Sequence, residues 1–170
     1  MIKKKPLTYE TITGRSIPLS KLTKPERKFL AGVGKKYKSG PEWTRFAAWW
    51  YGEFARSGLK AESIAYRICQ DLEARLGIQQ GKVSPPDYRD YLADLIDAQF
   101  GSRQEFCRRT GVDPGQLSRV FGGRADLSIR SLQSVLEVLN ARLVIQTDDQ
   151  VRAATHTAGV EAILDFAGRS

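Results

Sequence analysis

The stretch from Ser102 to Gly123, SRQEFCRRTGVDPGQLSRVFGG, restricts the fold more than any other part of the chain. Its punctuation asks for two short helices and a tight turn. Ser102 is a helix N-cap, and Glu105 three residues on completes a capping box. Phe106 and Cys107 begin an apolar face. Thr110-Gly111-Val112 breaks the helix, with Gly111 free to take the positive φ that other residues resist. Asp113 caps the second helix, Pro114 fills its first position and Gln116 its third. Leu117 and Val120, three apart, face back toward Phe106, Cys107 and Val112. Two helices this short cross steeply, and the small Cys107 lets them approach. The spacing predicts a helix-turn-helix.

The rest of the chain is also helical in pattern. Residues 1–22 are rich in Lys, Thr, Ser and Pro and read as a basic extended arm, with a short strand near Leu7–Ile12. Residues 23–78 form a helical N-terminal unit. Thr23 with Glu26 and Pro25 starts a helix that runs to about Lys38. Ser39-Gly40-Pro41 ends it and opens a helix over 41–57. There Trp43, Phe46, Ala47, Trp50 and Phe54 share one face, which reads as core, while Trp49 and Tyr51 fall outside it. Ile64, Ile68, Leu72 and Leu76 recur every four residues in an amphipathic helix over 60–77, with Gly77 as its stop. GIQQGKVSPP lacks periodicity, so 79–86 reads as a linker.

A second domain is expected over 87–147. Its first helix, Asp87 to Phe100, carries Tyr88, Leu92, Leu95, Ile96 and Phe100 on its apolar face. After the two motif helices, Ser128 caps a last helix that turns Ile129, Leu132, Val135, Leu136 and Leu139 inward. Arg142-Leu143-Val144-Ile145-Gln146 reads as a strand without a mate in a helical domain. An identical strand from a second copy would pair with it, which makes Leu143, Val144 and Ile145 dimerisation residues. Residues 148–170 read as a flexible tail. The predicted class is therefore mainly all-α, with about four helices in the second domain and one short C-terminal strand.

The formal charge of +8 favours an anionic partner. It is unevenly placed: residues 1–60 hold 14 Lys+Arg against 4 Asp+Glu, and residues 61–170 hold 13 against 15. Two cysteines, Cys69 and Cys107, both on apolar faces, read as reduced thiols, which fits a cytoplasmic protein. With His156 as the single histidine, neither a zinc set nor His-paired catalysis can be assembled. There is no Walker loop or dinucleotide fingerprint, so neither an enzyme nor a cofactor is expected. No apolar run is long enough for a membrane span, and the basic opening MIKKKPLTYE is not followed by the apolar region of a signal peptide.

The order helix, Ser102–Gly123, helix, strand resembles the lambda repressor/Cro-like (Xre) helix-turn-helix family over roughly residues 87–147. Glu105-Phe106-Cys107 stands where the family carries an acid, Leu and Ala. Gly111-Val112 holds the turn, and Leu117-Ser118-Arg119-Val120 matches a common aliphatic-Ser-Arg-Ile run. Arg103 replaces a usual Gln, and Phe121-Gly122 a common Glu-Asn pair. The trailing strand is similar to the dimerising extension of antitoxin-type members.

That resemblance implies a sequence-specific DNA-binding repressor, a homodimer on double-stranded DNA, with the antitoxin of a toxin–antitoxin pair as the implied sub-type and a toxin protein as its partner. Gln116 would read adenine and Arg119 guanine or a phosphate, with Gly115 at the flexible start of the reading helix. Arg103, Ser118, Arg124, Ser128 and Arg130 would contact the backbone. The alternative is an interaction module, in which the basic, Trp-rich helices of residues 24–77 bind and neutralise a protein partner.

Overall fold

The computed structural model describes residues 7–144, which are mainly helical with one small sheet. The chain divides into two compact units, with the division between Pro85 and Pro86.

The first unit opens with a hairpin. Strand β1 (Thr8–Glu10) pairs antiparallel with β2 (Ser16–Pro18), so that Tyr9 lies opposite Ile17. Both are buried, as are Leu19 and Leu22 just beyond. Residues 7–22 are therefore not an extended arm; only the strand near Leu7–Ile12 matches the expectation. Four buried apolar side chains in a Thr- and Ser-rich stretch hold it to the core, and Gly14, at φ 82°, makes the return turn.

Three helices follow: α1 (Lys24–Lys38), α2 (Trp43–Ser57) and α3 (Ile64–Gln79). The capping box of α1 forms as its sequence requires. Glu26 Oε2 accepts from the Thr23 backbone N–H at 2.8 Å and from its hydroxyl at 2.7 Å. Its other oxygen accepts from the Ala65 N–H at 3.3 Å, so one buried carboxylate joins the starts of α1 and α3. Burial pushes the Glu26 carboxyl up, but the donors from Thr23, Ala65 and Ile64 outweigh it and hold the group below its ordinary range. Helix α2 is capped by Glu42, not by the Ser39-Gly40-Pro41 run. Its Phe46, Trp50 and Phe54 are buried, and Phe54 meets the Phe29 and Tyr66 rings edge-on at 5.6 and 5.0 Å. The aromatic stripe is core.

Helix α3 runs past Gly77 to Gln79, and Val83 folds back upon that glycine. A Cβ at Gly77 would lie 2.6 Å from a Val83 methyl, and the Gly77 carbonyl accepts from Lys82 and Val83 at 2.7 and 3.2 Å. Glycine is here for close approach, not as a stop. Gln80 then ties α3 to α2, accepting from the Trp43 N–H at 2.9 Å and donating to the Pro41 carbonyl at 2.8 Å.

A second buried carboxylate secures the hairpin. Asp71 of α3 accepts from the Tyr9 hydroxyl, from the Ile12 N–H at 2.7 Å and from Arg75 Nε at 2.6 Å. Arg75 also donates to the Glu10 carbonyl at 2.7 Å. Burial, with the Asp71 charge adding to it, pushes the Tyr9 phenol well above its ordinary range.

The second unit contains α4 (Tyr88–Phe100), α5 (Arg103–Thr110), α6 (Pro114–Phe121) and α7 (Ile129–Val138). Its core is Leu92, Ile96, Phe106, Cys107, Leu117, Leu132, Val135, Leu136 and Leu139. Ile129 departs from expectation: it sits in the first turn of α7 and is 69% exposed. Residues 142–144 are not a strand, and Leu143 and Val144 are exposed. An isolated strand cannot satisfy its own backbone groups, and the described chain offers it no mate. Ile145, the rest of the expected strand and the 148–170 tail lie outside the described residues.

Asp71→Ala leaves the buried Tyr9 phenol without its acceptor and the partly buried Arg75 guanidinium without its counter-charge, and is expected to cost about 3–5 kcal/mol, the scale of a broken buried pair. Tyr9→Phe, which keeps the ring, costs about 1 kcal/mol. Urea unfolding followed by tryptophan fluorescence measures both, since all three tryptophans lie in the first unit. Equal losses in the two variants would contradict the central place given to Asp71.

Candidate nucleic-acid interface

Each motif helix is built by its caps. Ser102 Oγ accepts from the Glu105 N–H at 3.1 Å, and Gly111, at φ 73°, sends its N–H to the Cys107 carbonyl at 2.9 Å. Asp113 accepts from the Gln116 N–H at 2.6 Å, with Pro114 in the first turn. The capping box at Ser102 is half made. The Glu105 carboxylate turns to Arg108 at 2.7 and 2.8 Å and to Arg109 at 2.6 Å instead of back to Ser102.

Between these caps, Phe106 is fully buried, with the Phe100 ring edge-on at 5.1 Å. Leu117 and Val120 of α6 are buried too. Helical phasing then sends Gly115, Ser118 and Arg119 to the other side of α6 and leaves Gln116, one turn before Val120, at the edge of the buried seam; all four are exposed. Arg119 is 57% exposed, and its guanidinium lies 4.0 Å from the Asp113 carboxylate. Arg103, at the start of α5, lays its guanidinium over the Phe121 ring at 4.3 Å from the centroid. That cation–π contact joins the first residue of α5 to the last of α6 and keeps the charge at the surface. Phe121, at a position where the resemblance suggests an acid, therefore positions Arg103. Arg124 lies beside Gly122, where a Cβ would sit 3.3 Å from its Nε.

Ser128 and Arg130 mark the start of α7, and both are exposed. The Ser128 hydroxyl caps the helix, accepting from the Ser131 N–H at 3.1 Å, and shares a 2.9 Å hydrogen bond with the Ser131 hydroxyl. It is spent on the cap, so the exposed helix start and not the side chain is what Ser128 offers. Of the predicted residues, Gly115, Ser118 and Arg119 share one face of α6, and Gln116 is exposed at its edge beside the buried seam. Arg103, Arg124, Ser128 and Arg130 belong to neighbouring helix ends and turns.

Sequence reading missed how the acids are held. Glu105 is drawn down to about 2 by hydrogen bonds from Arg108 and then Arg109. Asp126 is lowered by Arg89 first and Tyr88 second. Arg89 also pairs with Asp87 at 3.4 Å. The signal for Glu105 was present in its i,i+3 and i,i+4 spacing to Arg108 and Arg109. Asp126 is 37 residues from Arg89 and had no local signal. Residues 100–131 hold six Arg against three acids, and two of those acids are engaged by arginines in this way. Burial pushes both cysteine thiols up, so neither is an activated nucleophile. Among the described residues, no group of three metal-ligating side chains occurs, and no helix is long and apolar enough to cross a membrane.

Asp113→Ala removes the α6 cap and should cost about 1 kcal/mol of local stability, whereas Asp113→Asn keeps the acceptor and costs little. Amide hydrogen exchange at Gln116 reads this directly, because its N–H loses its partner only in the alanine variant. In comparisons with known proteins, the chain matches no family model, no curated protein and no solved structure.

Proposed function

We propose that the second unit is a sequence-specific DNA-binding module that reads the major groove with α6, in a regulator that acts as a repressor. The observation that carries the reading is the α6 face. Two buried residues, Leu117 and Val120, fix the helix in the core and leave Gly115, Gln116, Ser118 and Arg119 exposed together. Gln116 has the paired donor and acceptor that adenine needs, and Arg119 the fork that guanine needs. Gly115 removes side-chain bulk where the helix start would meet the bases. Arg103, Arg124 and Arg130 stand at helix ends and turns of the same unit, suited to phosphates. The α7 start adds backbone N–H groups.

Membership of the Xre family, of the antitoxin type, belongs to this same proposal. So does a homodimer joined through residues 142–147, with the exposed Leu143 and Val144 as its described part. A toxin protein is the partner such a member would carry. Binding to a two-fold operator would follow from a two-fold protein.

The test is selection of bound duplexes from a random-sequence pool. The intact chain enriches one motif. Gln116→Ala relaxes preference at one or two positions, and Arg119→Ala weakens binding about tenfold or more, the scale of one bidentate base pairing. An enriched motif that both variants leave unchanged would rule out α6 as the reading helix.

The lysines of α1 supply a second, separable term. Lys24, Lys28, Lys35 and Lys38 are exposed, while Leu30, Val33 and Gly34 face inward. This lysine face would add phosphate attraction without sequence preference. Deleting the N-terminal region would destroy the core that Tyr9, Leu30 and Phe46 share, so charge-removing substitutions are the cleaner test. Replacing Lys24, Lys28 and Lys35 by Gln is expected to lower the salt slope of DNA binding by about 0.9 for each phosphate that is no longer neutralised. An unchanged slope would assign the lysine face to an acidic protein partner, the interaction-module reading.

A further inference from the structure

We propose that the first unit carries a pocket for an arginine side chain presented by a protein partner. A recess of about 420 Å³, open to solvent, lies between α2 and α3. Trp43, Trp50 and Tyr51 of α2 line it, with Tyr66, Gln70 and Glu73 of α3. Glu73 is the single formally charged residue of the lining, and no Lys or Arg belongs to it. A unit whose exposed α1 face is lysine-rich thus contains a cavity with one negative charge among four aromatic rings.

The walls are fixed in advance. Trp50 is 2% exposed, and its indole N–H donates to Glu73 Oε2 at 2.7 Å, which orients both the ring and the carboxylate. Tyr51 and Tyr66 meet the Trp50 ring edge-on at 5.7 and 5.5 Å. Tyr51 is 59% exposed, so one wall of the cavity faces solvent. Preorganised walls reduce the ordering cost that binding must overcome.

The chemistry selects the occupant. Aromatic faces attract a cation through their quadrupole, and more strongly as it is desolvated. An ammonium holds its water tightly, whereas a guanidinium is planar, weakly hydrated and stacks on rings. A guanidinium also brings N–H donors for the Glu73 carboxylate and the Gln70 amide oxygen. A quaternary ammonium brings none, and would gain only the aromatic contacts and the Glu73 charge. The whole cavity lies in the first unit, so the inference is independent of the DNA reading.

The experiment uses the full chain labelled with nitrogen-15 and follows the Trp50 indole N–H, which is bonded to Glu73 and reports on the site. N-acetylarginine amide and the peptide Gly-Arg-Gly are titrated, with N-acetyllysine amide and tetramethylammonium as comparators. Both arginine probes are expected to shift that resonance saturably, and about fivefold more tightly than the lysine probe. Glu73→Gln retains an oxygen acceptor for Trp50 and so keeps the fold, which thermal unfolding verifies, yet weakens arginine binding about fivefold, as removal of one charge-assisted hydrogen bond should. Tyr51→Ala, at an exposed position, weakens it as well. A response that does not saturate, one unchanged by both substitutions, or tighter binding of tetramethylammonium than of arginine would overturn the proposal.

Discussion

Helices of eight residues do not hold their shape alone, and α5 and α6 are both of that length. Everything the second unit presents to solvent depends on how this shortage is met. Caps at Ser102, Gly111 and Asp113 satisfy the backbone groups at three of the helix ends. Phe106, Leu117 and Val120 supply the burial that the helices cannot supply to each other by length. Because those three residues fix the rotation of each helix, they also decide which side chains remain outside. The exposed set of Gly115, Gln116, Ser118 and Arg119 is a consequence of core packing, with no separate device needed to display it.

The first unit meets a different problem, a hairpin too short to be stable by itself. Strands of three residues offer few ladder bonds, so side chains on α3 complete the attachment. Asp71 gathers the Tyr9 hydroxyl, the Ile12 N–H and Arg75 around one carboxylate. Glu26 performs the matching service at the start of α1, where a capping box reaches across to Ala65. Both are buried acids whose oxygens are hydrogen-bonded, the condition under which a buried carboxylate is tolerated. The same logic holds Glu73 against Trp50 at the edge of the aromatic cavity.

What the sequence disclosed was local. Thr23, Ser102, Asp113 and Ser128 were legible as caps because capping chemistry spans only three residues, and all four cap in the structure. The Trp43–Phe54 stripe was legible as core because its period is that of one helix. Non-local features were hidden. Tyr9 and Asp71 are 62 residues apart, and nothing near Tyr9 announced that a Lys- and Thr-rich opening would fold back as a hairpin. Gly77 looked like a helix stop because the return of Val83 cannot be read from periodicity. At the candidate interface, the inward turn of Leu117 and Val120 followed from their spacing. The roles of Phe121 under Arg103 and of Arg89 against Asp126 required the fold.

The proposed DNA reading joins these observations: a buried seam sets a short helix, its exposed side chains include an amide and a guanidinium, and further arginines stand at helix ends. Amide chemical-shift mapping of the intact chain against a selected duplex tests it most directly. The expected result is that Gly115, Gln116, Arg119 and Arg124 shift together and saturate at one stoichiometry, while Phe106 and Leu132 in the core barely move. Saturable shifts confined to residues 24–38, with α6 silent, would contradict it.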